Sequence, residues 1–203
     1  MKVFIIGICG GSASGKSTLA NELAGILGND LTNLISLDNY YYDFVSKGLN
    51  PEEINYDHPK SIDISQVIDD LKLLRTGKPV EIPQYDLSTH TRKDLGFLIF
   101  PRRYLIVEGL FLFTIRSLTS LFDLKLYVNT PDDVRFQRRI ERDTRERNRS
   151  LASIQDQYRN YVYPMHLKYV LPNRELADLV IQGNESFRDQ LPEILRLIDD
   201  RQY

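Results

Sequence analysis

Five short apolar runs punctuate the chain: Val3–Ile8, Leu34–Leu37, Tyr104–Val107, Leu124–Val128 and Leu179–Ile181. They are continuous rather than alternating, as expected of strands covered on both faces in a parallel sheet. Between them the apolar period lengthens. Ile64, Val67, Ile68, Leu71 and Leu74 fall on one helical face, and Leu191, Ile194, Leu195 and Ile198 repeat that spacing near the C-terminus. Thr130-Pro131-Asp132-Asp133 predicts a helix start, with a threonine cap, proline in the first helical position and acids in the first turn. This alternation of strand and helix predicts an α/β fold built on a parallel sheet flanked by helices. Residues 78–100 differ in texture, with Pro83, Gly96 and short β-prone pieces, and predict a small β insertion or lid. No repeat, low-complexity tract or linker interrupts the chain, so residues 1–203 are expected to form one domain.

Composition narrows the function classes. The chain has 203 residues, enough for a sizeable core, with 42% hydrophobic and 27% charged residues, which reads as soluble and globular. Lysines and arginines number 26 against 28 acids, a net charge of −2, which argues against a nucleic-acid coat or an anionic-membrane binder. The single cysteine, Cys9, excludes an internal disulfide framework and a cysteine-ligated zinc site. The richest apolar stretch, Leu95–Ile115, is broken by Pro101-Arg102-Arg103 and Glu108, so no membrane span is expected. Lys2 and the apolar run Val3–Cys9 imitate a secretory signal, but the run is short and contains a glycine; the expected location is the cytoplasm.

The most specific chemistry lies directly after the first strand. Gly10-Gly11-Ser12-Ala13-Ser14-Gly15-Lys16-Ser17 fits G-x-x-x-x-G-K-[ST], and Thr18 opens a helical pattern running to Leu27. Glycines let backbone N–H groups turn inward around phosphate oxygens, and the helix N-terminus adds partial positive charge. Lys16 is expected to reach the β- and γ-phosphates, and the Ser17 hydroxyl to ligate Mg²⁺. The sheet is thereby predicted to be of the P-loop NTPase type. This loop implies a nucleoside triphosphate and leaves the acceptor open.

Two acids stand where a parallel sheet places its ligands, outside the carboxyl ends of the strands. Asp38 follows Leu34–Leu37 and can take a proton from an attacking hydroxyl or help hold Mg²⁺. Glu108 ends the run Tyr104–Val107, a position suited to the metal or its water. Residues 135–149 hold seven arginines against Glu141, Asp143 and Glu146, a local balance of +4. Arg135, Arg138, Arg139 and Arg142 fall on one helical face. This segment reads either as a solvated helix with Glu141–Arg145 pairs, or as a lid over residues 138–150 that closes on the transferring phosphoryl group and excludes water. It lacks the interleaved aromatics of a nucleic-acid surface.

Further motifs carry a family resemblance: Asp38-Asn39-Tyr40-Tyr41, Asn55-Tyr56-Asp57-His58-Pro59, Pro83-Gln84-Tyr85-Asp86 with Thr89-His90-Thr91-Arg92, and Val107-Glu108-Gly109. They continue through Arg138-Arg139-Ile140-Glu141-Arg142-Asp143, Glu146-Arg147-Asn148-Arg149, Gln157-Tyr158 and Pro164-Met165-His166. In this order they resemble the uridine–cytidine kinases of the phosphoribulokinase and uridine kinase group, over nearly the whole chain. The resemblance implies ATP or GTP as donor, Mg²⁺ as cofactor, uridine and cytidine as acceptors, and assembly as a homotetramer. It implies that Asp38 is the general base for the ribose 5′-hydroxyl and that Asp57 and Arg139 hold the ribose hydroxyls. Tyr85 and His90 would read the 4-position of the pyrimidine, with Tyr56 packing on the ring. Arg149 and Gln157 would complete the nucleoside pocket, and Arg142 and Arg147 would face the phosphates. Of the successive Tyr40, Tyr41 and Tyr42, not all can face one pocket; Tyr41 is assigned to the substrate side. Three departures stand out: Asn148 for glycine between Arg147 and Arg149, Tyr163 for arginine before Pro164-Met165, and Gln182-Gly183-Asn184 for Pro-Arg-Gly. They bear on donor preference. Two other functions compete: a related kinase acting on pantothenate or a sugar phosphate, and a regulatory module that binds nucleotide without turnover.

Overall fold

The computed structural model describes residues 3–50, 53–147 and 149–202. Five parallel strands form the central sheet: β1 (Phe4–Gly10), β2 (Thr32–Ser36), β7 (Tyr104–Gly109), β8 (Leu124–Asn129) and β9 (Leu179–Gln182). Their order is β2-β7-β1-β8-β9, with β1 in the centre. All five predicted runs are strands, displaced at their ends by one or two residues. β1 and β7 continue past their apolar runs because Glu108, Gly109 and Gly10 still pair in register, Ile8 with Glu108, Cys9 with Gly109 and Gly10 with Val128. β2 stops at Ser36, where the Ser36 hydroxyl accepts from the Asp38 N–H (3.3 Å) and a short 3₁₀ turn, Leu37–Tyr40, begins.

The side-chain alternation of β1 divides the core into two. Phe4, Ile6 and Ile8 pack with Leu19 and Leu23 of α1 (Lys16–Leu27) and with Leu191, Ile194 and Ile198 of α6 (Leu191–Gln202). Ile5 and Cys9 face the other layer, with Val67, Leu71 and Leu74 of α2 (Ile64–Arg75). Burial of each such aliphatic side chain contributes about 1.5–3 kcal/mol relative to exposure. The Asp63 carboxylate caps α2 by accepting from the Gln66 N–H (3.1 Å). Residues 78–100 carry two small antiparallel ribbons, β3 (Val80–Ile82) with β6 (Phe97–Ile99) and β4 (Tyr85–Asp86) with β5 (Thr91–Arg92).

Beyond the small helix α3 (Arg116–Thr119), the arginine segment forms α4 (Asp132–Arg147), followed by α5 (Leu151–Gln157) and a π-helical turn, Tyr158–Val162. Asn148 lies outside the described residues. α4 starts where Thr130-Pro131-Asp132-Asp133 predicts, and the Thr130 hydroxyl donates across to the Ser14 carbonyl (2.8 Å), tying this helix start to the loop after β1. Gly183, just past β9, packs against that same Thr130 hydroxyl and Ser14 carbonyl and leaves no room for a β-carbon. Gly183→Ala is therefore expected to cost about 1–3 kcal/mol by overpacking. A chemical-denaturation midpoint equal to that of the unmodified protein would contradict this packing.

Candidate active site

The loop after β1 is built by its backbone. Ala13 (φ 59°) and Gly15 (φ 101°) occupy the left-handed region, and the Ser14 N–H donates to the Gly11 carbonyl (3.1 Å). A non-glycine residue in that region is uncommon, and such strain concentrates at functional sites. Behind the loop the buried Arg135 guanidinium pairs with Asp132 (2.6 Å) and presses on Gly11, where a β-carbon would lie 2.5 Å from Nη1. Lys16 opens α1; its Nζ is folded over the loop and donates to the Gly11 carbonyl (3.0 Å).

A cleft of about 710 Å³ opens from this loop across the carboxyl ends of β2 and β7. Ser12, Ala13, Lys16 and Ser17 form one wall, with Asp38 and Glu108 at its base. Gly10, Gly11, Ser14, Gly15 and Thr18 shape the loop and first helical turn behind that wall. Register places Glu108 opposite Ser36, so the short turn after β2 carries Asp38 to the same sheet edge. Burial raises the Glu108 pKa; Lys16 opposes that shift, Asp38 adds to it, and the Ser36 and Ser17 hydroxyls bond to the carboxylate. Two carboxylates and a hydroxyl beside a lysine are hard oxygen donors of the kind that share a Mg²⁺ with waters and phosphates rather than enclosing it. Ser17, Asp38 and Glu108 thus fit the metal that the loop implies.

The opposite wall carries the predicted acceptor residues Tyr41, Tyr56, Asp57, His90, Arg149 and Gln157. Asp57 is buried, which raises its pKa; Arg139 opposes the shift and Asp38 adds to it. Tyr56 stacks on His90 (4.6 Å between ring centres, 24°) and meets Tyr41 edge-on (5.8 Å). Tyr85 stands behind these rings, 5.3 Å from Tyr41, with its hydroxyl interacting with that of Tyr56. His90 sits at φ 58° in the turn between β4 and β5, its N–H donating to the Asp86 carbonyl (2.8 Å). Burial lowers the His90 pKa, and Arg147 and Arg149 lower it further, so the imidazole is neutral at neutral pH. Its Nδ1 is buried without a hydrogen-bond partner among the described residues. The three adjacent tyrosines separate cleanly: Tyr40 is core and donates to Asp70 (3.0 Å), Tyr41 faces the cleft, and Tyr42 lies outside under Lys47 and Arg92.

α4 and the segment after it close the cleft with Arg139, Arg142, Arg147 and Arg149. The Glu141–Arg145 pairs of the solvated-helix reading are absent among the described residues: Arg145 pairs with Glu146 (2.5 Å), and Glu141 accepts from Gln137 (2.9 Å). Of the arginine face, Arg135 and Arg139 are buried and Arg138 donates to the Gly183 carbonyl (2.9 Å). Arg139 donates to the Ser12 hydroxyl and to Gln157 (both 2.8 Å), joining the loop wall to the acceptor wall. Arg149 also donates to Gln157. The sequence reading assigned no role to Asp143, on which these arginines converge, nor to the cleft-lining Ser153, Asp156 and Tyr161. The signal for Asp143 is its spacing, four residues after Arg139 and four before Arg147.

A parallel sheet with the G-x-x-x-x-G-K-[ST] loop on its central strand, two acids at the neighbouring strand ends and an arginine helix across the cleft define a P-loop kinase. The chain belongs to the Phosphoribulokinase / Uridine kinase family, whose model matches residues 5–187. It is 43% identical over 180 residues to the uridine kinase of Staphylococcus aureus (strain JH9), covering 87% of this chain and 86% of that one. Its fold is shared with a protein described as a possible uridine kinase from Bacillus stearothermophilus (TM-score 0.65, 19% identity, 90% of each chain). Phosphoribulokinase from Rhodobacter spheroides is also similar in fold (TM-score 0.62, 14% identity, 89% of this chain and 70% of that one). Among the described residues no helix is long and apolar enough to cross a membrane.

Proposed function

We propose that this enzyme transfers the γ-phosphoryl group of ATP or GTP to the 5′-hydroxyl of uridine and cytidine, giving UMP and CMP and so returning free pyrimidine nucleosides to the nucleotide pool. The observation that carries this reading is the continuity of one cleft from Lys16 and Ser17, past Asp38 and Glu108, to Asp57, His90 and Gln157. Asp38 accepts the 5′-hydroxyl proton as the new O–P bond forms and the bond to the bridging oxygen of the donor breaks, releasing the diphosphate. Lys16, Arg142 and Arg147 offset the charge on the phosphate oxygens. Ser17, Asp38 and Glu108 would hold Mg²⁺, which would supply further neutralisation of the phosphates.

Asp57 and Arg139 suit the two ribose hydroxyls: a buried carboxylate accepts from both, and a substrate lacking them would leave it unpaired. The neutral His90 can donate or accept and so tolerates both the uracil carbonyl and the cytosine amine. The stack with Tyr56 sets the imidazole beside an aromatic ring at this end of the cleft. Coupled ADP-release assays against a panel of nucleosides, pantothenate and sugar phosphates test the reading. Uridine- and cytidine-dependent release is expected, and release driven by another acceptor or by none contradicts it. His90→Ala is expected to raise the pyrimidine KM about tenfold or to erase base preference, the worth of one hydrogen bond with its stacking partner. Unchanged preference among uridine, cytidine and purine nucleosides would remove His90 from base recognition.

A further inference from the structure

Asp143 lies on the inner face of α4 with 0% of its surface exposed, and four guanidinium groups gather round its carboxylate. The Arg142 Nε donates to Oδ1 (2.9 Å), and Arg147 Nη1 is 3.5 Å from the same oxygen. Arg139 Nε and Arg149 Nη1 approach Oδ2 at 3.4 and 3.9 Å. The Asp143 carbonyl also accepts from the backbone N–H of Arg149 (3.1 Å), which fixes where the chain turns back toward α5. Burial alone would push the Asp143 carboxyl up, but Arg139, Arg142 and Arg147 hold it below the usual carboxylate range. It therefore remains ionised at neutral pH.

One negative charge among four positive ones is not a balanced ion-pair network. It leaves a surplus of positive charge facing the cleft and supplies the common centre that holds mutually repelling groups together. Arg147 records the strain: burial and the neighbouring Arg142 lower its pKa, and Asp143 opposes that shift. The two oxygens also divide the arginines by location. Oδ1 takes the Arg142 hydrogen bond and lies nearest Arg147, whereas Oδ2, which accepts no hydrogen bond among the described residues, lies within ion-pair distance of Arg139 and Arg149, which both reach Gln157 on the acceptor wall. Arg139 extends further, to Ser12 in the phosphate loop.

We propose that Asp143 is a positioning residue whose single buried carboxylate sets the placement of Arg139, Arg142, Arg147 and Arg149, and so links the donor and acceptor sides of the cleft. It touches neither substrate. This role rests on the reading of the cleft as a phosphoryl-transfer site. Without the negative charge, as in Asp143→Asn, the four guanidiniums repel one another and spread toward solvent. A displacement of about 1 Å in a group that must meet the reacting phosphate can cost about 10²-fold in turnover. Loss of one charge-assisted hydrogen bond to the donor weakens its binding about tenfold.

The test combines ATP titration by calorimetry, which needs no acceptor, with turnover in a double-mutant cycle. Asp143→Asn is expected to weaken ATP about tenfold and to lower kcat by about 10- to 10²-fold. In a background carrying Arg142→Gln and Arg147→Gln the same substitution is expected to change ATP affinity less than threefold, because the phosphate-facing groups it positions are already gone, while kcat still falls because Arg139 and Arg149 remain. Equal losses of ATP affinity in the two backgrounds, or unchanged ATP affinity and kcat in Asp143→Asn, overturn the proposal. Should the asparagine variant not fold, Asp143→Glu carries the test: it keeps the charge but moves the carboxylate by one methylene. Reduced kcat with intact cooperative unfolding supports positioning, and full activity overturns it. An enzyme that binds ATP but phosphorylates no nucleoside would defeat the substrate reading, while the calorimetric half of the cycle would still decide the role of Asp143.

Discussion

Asp38→Asn is expected to lower kcat by about 10²- to 10⁴-fold, the usual worth of a general base, while uridine and ATP bind within a few-fold of the unmodified enzyme. Asparagine preserves the size of the side chain and its capacity to accept a hydrogen bond from the substrate hydroxyl, but it cannot take the proton. The local fold should survive. The turn that carries Asp38 is held by its backbone N–H on the Ser36 hydroxyl, and the adjacent Leu37 and Tyr40 are fully buried. The carboxylate also stands close enough to Glu108 and Asp57 to raise the pKa of each, so it lies where the metal and ribose regions of the cleft meet. Removing its charge should shift both neighbours back toward ordinary carboxylate behaviour. Single-turnover kinetics separate chemistry from binding, and a single-turnover rate close to that of the unmodified enzyme would exclude Asp38 as the base.

Lys16→Ala is expected to lower kcat by about 10²- to 10³-fold, the typical cost of removing one preorganised charge donor, and to weaken ATP as well. The residue is largely buried, and its ammonium is held by the Gly11 carbonyl at 3.0 Å, so it is aimed along the loop before any substrate arrives. It also opposes the upward shift of the Glu108 pKa; without it Glu108 is harder to ionise, and the metal region loses negative charge as the phosphate region loses positive charge. Lys16→Arg should not restore activity, because a planar fork cannot occupy the space of a compact ammonium under this loop. Rescue by arginine, or turnover within a few-fold of normal in Lys16→Ala, would contradict the assignment.

How far these groups could be read from sequence depended on whether their partners lie nearby in the chain. The five strands are legible because each is covered on both faces and therefore continuous in apolar residues. Their ends are not, since Glu108 and Gly109 extend β7 through ladder pairing that an apolar pattern does not register. The phosphate loop is legible because backbone geometry dictates its glycines and its chemistry dictates Lys16 and Ser17. Asp38 and Glu108 are legible as strand-end acids, yet their adjacency follows only from β2 pairing with β7. The arginine segment shows its excess charge in sequence but conceals its organisation: the helix could equally be a solvated face, and only the fold shows Asp143 wholly buried beneath four guanidiniums. The stack of Tyr56 on His90 was illegible for a similar reason, because it joins a loop before α2 to the turn between β4 and β5. Tyr85, which the resemblance sets with His90 at the base, has Tyr41 and Tyr56 as its neighbours in space, another contact between segments distant in the chain.

The most direct test follows the phosphoryl group itself. The enzyme is incubated with ATP labelled at the γ-phosphate, Mg²⁺ and either uridine or 5′-deoxyuridine, and the labelled products are separated. Label in UMP with uridine, and no acceptor-linked label with 5′-deoxyuridine, is the expected result. Label in inorganic phosphate alone, or transfer that is indifferent to loss of the 5′-hydroxyl, would contradict a kinase that activates that hydroxyl with Asp38.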